Sequence, residues 1–147
     1  MKIQKKVYQD LMQQLCTGTA AREVGGILGG SGGCVTTFFL DCNALSSHPC
    51  CYVPDVAKLN VVIQAWDQGS ILFMGVFHTH YHADSLSTQD QRYAQVILGA
   101  AARAEIRTVY FPVISLEKGR MAVYYGDSET FLIQEDTLEL EQTQKIE

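Results

Sequence analysis

A chain of 147 residues, 47% of them hydrophobic, carries enough apolar material for one compact core and leaves little room for a second, so residues 1–147 are read as a single domain. The formal net charge is −5, and the one basic grouping is Lys2, Lys5 and Lys6, so the electrostatic footprint of a nucleic-acid-binding protein is missing. No apolar run approaches the roughly 18 residues of a membrane span, and the N-terminus lacks the apolar stretch of a secretory leader; no membrane association and a cytoplasmic location are expected.

In chain order, Val7, Leu11 and Leu15 fall four apart among Gln and Lys, which predicts a helix over 3–15 ended by Thr17-Gly18-Thr19. Glu23-Val24-Gly25-Gly26-Ile27-Leu28 then reads as a short strand running into glycines, and the β-branched and aromatic stretch 34–40 as its partner, joined by a hairpin through Gly29 to Gly33. The stretch 45–52 reads as a loop. Pro54 lies near the first turn of a helix reaching Asp67, with Val56, Leu59, Ile63 and Trp66 on one face. The near-continuous apolar run 71–80 predicts a strand covered on both faces. Ser87 opens a helix containing Tyr93, Ile97 and Ala101. A strand over 109–116 turns at Glu117-Lys118-Gly119-Arg120 into a strand over 121–125, a last strand begins near Thr130, and the tail from Glu139 is expected to fray. This order is that of an α/β domain: a mixed β-sheet with flanking helices.

The five cysteines, Cys16, Cys34, Cys42, Cys50 and Cys51, are odd in number and contain no C-x-x-C pair, which favours reduced thiols over a disulfide framework. Cys50 and Cys51 beside His48 also read as a metal or redox grouping, against the plainer reading of small buried thiols.

The chemistry concentrates in Gly75 to Asp90. Residues i and i+2 of a strand share a face, so His78 and His80 project side by side from a strand end, and two imidazoles so placed can share a metal ion. A catalytic zinc site takes three protein ligands and keeps an open position, and Asp90, in the first turn of the next helix, is the candidate third ligand. Glu23 is the sole acidic residue between Asp10 and Asp41 and is the candidate general base for an activated water. Ser87 is a candidate donor to the oxyanion of a tetrahedral intermediate. Gly25 and Gly26 would let backbone or substrate approach closely.

Glu23 with the following Gly-Gly, then His78-Thr79-His80, then Ser87-Thr88-Gln89-Asp90, resembles the signature of the JAB/MPN (JAMM) metalloprotease family, which has a distal Glu, H-[ST]-H, a short loop and S-x-x-D. The sequence departs from it in two places: the loop 81–86 is one residue shorter than is usual, and Tyr81 stands where the family has Pro. The resemblance implies a JAB/MPN, cytidine-deaminase-like architecture of the single-domain prokaryotic kind. It further implies a Zn²⁺ ion held by His78, His80 and Asp90, with Glu23 and Ser87 as catalytic groups. The implied activity is hydrolysis of a peptide or isopeptide bond after the C-terminal Gly-Gly of a ubiquitin-like or sulfur-carrier protein.

Each part has a plainer reading. Ser87-x-x-Asp90 before an apolar helix is also a capping box. The histidine pair also reads as buried, hydrogen-bonded residues, and Glu23 as a solvent-facing residue beside Arg22. His82 and Asp84 are exposed loop residues with a minor candidacy as substrate contacts, and His82 as a substitute ligand. Gly29 to Gly33 lacks the Lys-Ser/Thr of a phosphate loop. The alternatives at the level of function are a non-catalytic scaffold or binding module of the same fold and a metal-dependent amidase acting on a small substrate.

Overall fold

The computed structural model describes residues 1–16, 23–41 and 52–142; the expected end of the first helix at Thr17 to Thr19, most of the loop 45–52 and the Cys50/Cys51/His48 grouping lie outside them. The chain opens with a strand, β1 (Lys2–Gln4), ahead of helix α1 (Lys5–Cys16). The expected helix over 3–15 therefore begins later. Ile3 is fully buried and pairs in parallel with Val35 and Leu140, and these cross-sheet bonds claim a segment that the helical pattern, which starts at Val7, never required.

Strands β2 (Gly25–Ser31) and β3 (Cys34–Asp41) form the expected hairpin. Ser31 opposes Cys34, and Gly32 and Gly33 adopt φ of 61° and 76°, the left-handed pair that a two-residue turn requires. Helix α2 (Val56–Gln68) follows, with the Asp55 carboxylate accepting from the Lys58 N–H as its N-cap, so Pro54 lies before the cap and not in the first turn. Of its expected apolar face only Leu59 is buried, and Val56 is 61% exposed.

Strand β4 (Leu72–His80) lies mid-sheet, followed by helix α3 (Thr88–Arg103). The expected strand over 109–116 is in fact two, β5 (Thr108–Tyr110) and β6 (Val113–Ser115), both parallel to β4 and both antiparallel to the single strand β7 (Arg120–Asp127). Pro112, which has no N–H for a ladder, sits at the break, and its carbonyl accepts from the His78 N–H at 3.2 Å. Strand β8 (Ile133–Asp136) pairs with β7. The tail from Glu139, expected to fray, forms β9 (Glu139–Glu141) instead, because β1 offers it a parallel edge. The described strands thus form one mixed sheet in the order β5-β7-β6-β4-β2-β3-β1-β9, with β5 also bonded to β4.

Helix α1 covers one face, where Leu11 and Leu15 join Leu28, Val35, Phe77 and Ile114. On the other face Ala94, Leu98 and Ala101 of α3 pack with Val109, Phe111, Phe73 and Val76. A register shift on β4 opposite Leu28 and Gly29 changes the strand's parity, which puts Phe73 on the same face as Val76, His78 and His80. Strand β4 is expected to be buried on both faces; Phe77 and Thr79 are fully buried on the α1 side, but Val76, His78 and His80 on the other side are only partly covered. A small cavity lies against Val76, His78 and His80, and a groove lined by residues of α2 and α3 also reaches Val76. Among the described residues, no helix is long and apolar enough to cross a membrane.

Candidate metal centre

The alternation of β4 places His78 and His80 on the face toward α3, with Thr79 buried on the opposite face. The β2–β4 register sets Gly25 opposite His78, so the residues just ahead of β2 lie against the end of the histidine strand. Thr79 fixes them there. Its N–H donates to the Val24 carbonyl at 2.8 Å, and its hydroxyl oxygen accepts from the Val24 N–H at 2.9 Å. Glu23, expected within the strand, lies just before it, and its Oε1 is 2.8 Å from Nδ1 of His80.

Asp90 arrives from α3. Ser87 is the N-cap: its Oγ accepts from the Asp90 N–H at 3.1 Å, and the Asp90 Oδ2 accepts from the Ser87 N–H at 2.8 Å, a reciprocal capping box. The same Oδ2 lies 2.9 Å from Nε2 of His80 and 3.1 Å from Nε2 of His78, and the two Nε2 atoms are 3.1 Å apart. The capping box and the three-residue cluster are therefore one arrangement.

The triangle fits a metal ion. Ligands held at 2.0–2.1 Å by a tetrahedral zinc lie about 3.3 Å from one another, slightly further apart than these three atoms. Two imidazole nitrogens and a carboxylate oxygen at such separations repel unless a proton or a cation sits among them. The second nitrogen of His80 meets a carboxylate, the usual outer partner of a metal-ligating imidazole. Among the described residues this is the group of His, Cys, Asp and Glu whose donor atoms cluster closely enough to hold an ion.

Without metal, charge collects at the same point. Hydrogen bonds to Asp90 and then Glu23 push the His80 imidazole up to about 10, outweighing burial, which opposes the charged form. Burial pushes the Asp90 carboxyl up, but hydrogen bonds from His78, His80 and the Ser87 N–H prevail and hold it well below the usual carboxylate range.

The loop 81–86 is fastened away from the cluster. The Ser115 hydroxyl donates to the His82 carbonyl at 2.9 Å, and the Leu116 N–H donates to the His80 carbonyl at 2.9 Å. The His82 ring, 73% exposed, pairs with Glu117 instead of joining the other two histidines. Asp84 binds Arg120, which lowers its carboxyl from the ordinary value, and Lys118. Neither residue faces the candidate ligands' shared point. Tyr81, at the family's Pro position, is 61% exposed and meets the His82 ring edge-on.

A small cavity of about 90 Å³ adjoins the cluster, with Glu23, His78, His80, Ser87 and Asp90 in its wall. Tyr52, Pro54, Val76, Tyr93 and Phe111 complete much of that wall and were not singled out from sequence as site residues. Of these only Val76 was accessible to a local argument, since it shares the parity of His78 and His80. The Tyr52 hydroxyl donates to Asp41 at 2.9 Å, which sets the ring against Gly25; a Cβ at that glycine would lie 2.4 Å from the ring and 2.5 Å from the Phe77 carbonyl oxygen. The close approach expected at Gly25 is thus made by the protein's own tyrosine and neighbouring strand.

No protein-family model matches the chain, and no curated protein sequence does so. Solved structures do match its fold. The solution structure of a protein from Desulfitobacterium hafniense superposes with a TM-score of 0.69 at 17% identity, over 97% of this chain and 93% of that one. The crystal structure of a JAB1/MPN domain protein from Archaeoglobus fulgidus superposes with a TM-score of 0.54 at 12% identity, over 95% and 98%. At these identities the likeness is one of fold: the α/β architecture, a mixed sheet with flanking helices, is of the JAB1/MPN kind.

Proposed function

We propose that this chain is a zinc-dependent peptidase or isopeptidase that cleaves after the C-terminal Gly-Gly of a ubiquitin-like or sulfur-carrier protein. The observation that carries the reading is the convergence of His78 Nε2, His80 Nε2 and Asp90 Oδ2 within 3.1 Å of one another, with the Glu23 carboxylate on the far nitrogen of His80. A fold of JAB1/MPN kind supports it. The small volume of the adjoining cavity, about 90 Å³, suits residues without side chains next to the scissile bond.

In this reading His78, His80 and Asp90 hold the ion, which when bound acidifies a water and polarises the scissile carbonyl. Glu23 orients His80 through Nδ1 with one carboxylate oxygen, and the carboxylate takes the water's proton and returns it to the leaving amine. The Ser87 oxygen accepts from Asp90 N–H, which leaves its own O–H to donate to the developing oxyanion.

Elemental analysis tests the centre: about one zinc per chain is expected in the wild type, and none in the His78→Ala/His80→Ala double variant. A panel of Gly-Gly-linked protein fusions and small amides, with Glu23→Gln as control, tests the reaction. A second reading is a metal-holding scaffold, favoured by the bond that ties Glu23 to His80. Bound zinc with no hydrolysis of any fusion or amide would establish it. Cleavage of small amides alone would instead mark the chain as an amidase on a small substrate.

A further inference from the structure

Between His80 and Asp90 the chain runs almost without apolar anchorage. From Tyr81 to Tyr93 every residue is exposed except Asp84, Leu86 and Asp90, and those three are only partly covered. Helix α3 gains its first buried side chain at Ala94, about one turn beyond Asp90. Apolar packing therefore fixes the body of α3 but not the turn that carries the third candidate ligand, and a segment so lightly packed moves easily unless polar contacts hold it.

Such contacts lie along the loop. It first follows β6: the Tyr81 carbonyl accepts from the Glu117 N–H at 2.8 Å, and the His82 carbonyl accepts from the Ser115 hydroxyl at 2.9 Å. It then reaches Asp84. That carboxylate accepts from Nε of Arg120 at 3.1 Å and from Nη2 of the same guanidinium, and the Lys118 ammonium lies 3.5 Å away. The Tyr124 hydroxyl donates to the Asp84 carbonyl at 3.3 Å. Three residues later the Ser87 cap begins. Arg120 is itself well placed to set a position. It opens β7 opposite Ser115, and Ser115 stands opposite His80, so Arg120 and His80 share one row across the sheet. Two guanidinium nitrogens on one carboxylate fix an angle as well as a distance.

We propose that Asp84 is a positioning residue of the metal centre: its ion pair with Arg120 ties the loop to the row of His80, and so sets where α3 begins and where the Asp90 carboxylate comes to rest. This role rests on the metal-binding part of the reading above and on nothing about the substrate. An exposed ion pair adds little to overall stability. Here it acts on a short segment without a buried side chain, and the quantity it moves is the placement of one ligand.

Zinc titration against a chromophoric chelator tests the role with Asp84→Ala, Arg120→Ala and the double variant. Each single variant is expected to bind zinc about 10-fold more weakly, the low end of the usual cost of disturbing a group behind a metal ligand. The double variant is expected to lose no more than either single one, because the two side chains act as one device. Glu117→Ala, which removes the neighbouring exposed pair with His82, is expected to bind zinc as the wild type does. Cobalt-loaded Asp84→Ala is expected to absorb more weakly in the visible than cobalt-loaded wild type, as water replaces the displaced carboxylate and the coordination number rises. The urea midpoint of metal-free Asp84→Ala is expected to stay close to that of metal-free wild type. Wild-type zinc affinity and cobalt spectrum in Asp84→Ala would overturn the assignment. Losses that add in the double variant, or that Glu117→Ala reproduces, would do so as well. A metal-free midpoint lowered in step with zinc affinity would overturn it too, and leave the pair as a general stabiliser. A wild type that takes up no zinc would mark the failure as that of the metal reading and remove the role with it.

Discussion

The Thr79 hydroxyl oxygen accepts a hydrogen bond from the Val24 N–H at 2.9 Å, joining the residue between the two histidines to the residue after Glu23. Its buried side chain points to the α1 face, so it ties the histidine strand to the carboxylate without entering the cluster. Thr79→Val has nearly the same shape and no acceptor. It is expected to cost about 1–3 kcal/mol in urea unfolding, the usual penalty for an unsatisfied buried donor, and to lower zinc affinity as Glu23 drifts from His80. Thr79→Ser is expected to keep both; a stable, fully metal-binding Val variant would deny the tether.

Glu23 meets His80 at Nδ1, so its replacement separates orientation from proton transfer. Glu23→Gln retains an acceptor for His80 N–H and is expected to bind zinc nearly as the wild type does while hydrolysing nothing. Glu23→Ala is expected to lose about 10–100-fold in zinc affinity as well. Zinc titration against a chromophoric chelator and a cleavage assay read the two effects independently. A Gln variant that still hydrolyses would remove Glu23 from the proton-transfer role.

The raised His80 value fixes a pH dependence. In metal-free protein its imidazolium adds stability that is complete below the unfolded value of about 6.5 and is lost as pH rises through about 10. The urea midpoint of stripped protein is therefore expected to fall across that window, and that of His80→Gln to stay flatter. Zinc needs the neutral ring, so its uptake near pH 7 is expected to release about one proton from His80. Calorimetry in buffers of different ionisation enthalpy counts it.

At Ser87 the cap and the hydroxyl donor separate cleanly. Glycine is nearly as good an N-cap as serine, costing a few tenths of a kcal/mol, whereas alanine costs about 1 kcal/mol. Ser87→Gly is thus expected to fold and bind zinc close to normally, while hydrolysis falls by about 10²-fold if its O–H serves the oxyanion. Wild-type turnover in the glycine variant would leave Ser87 as a cap alone.

Gly25→Ala probes the packing behind the site. The added methyl meets both a tyrosine ring and a backbone carbonyl, and the carbonyl cannot rotate away. A loss of about 1–3 kcal/mol is expected in thermal unfolding, and Tyr52→Leu in the same chain is expected to recover only part of it.

Several of these features are matters of short-range geometry and were legible in the chain itself. The face shared by His78 and His80 follows from strand alternation, the Ser87–Asp90 box from helix capping, and a hairpin within Gly29 to Gly33 from its glycines, although Gly29 and Gly30 belong to β2 and only Gly32 and Gly33 make the turn. The break at Pro112 was visible as a residue and missed as a boundary, because the apolar run on both sides reads as one strand. The strands β1 and β9 left no local pattern, since each is three residues long and owes its form to pairing across the sheet, β1 with β3 and β9, and β9 with β1.

Residue type and spacing along the chain thus determined which side chains are suited to hold an ion and how two of them are aimed, because those relations span at most one strand or one helical turn. Only the tertiary structure decided that Glu23 lands on His80, through the pairing of Gly25 with His78 and the Thr79 bonds. It alone decided that Asp90 closes the triangle and that an apolar groove opens beside it. Those are contacts between separate elements, set by sheet register and by how two helices share one face, and no interval along the sequence encodes them.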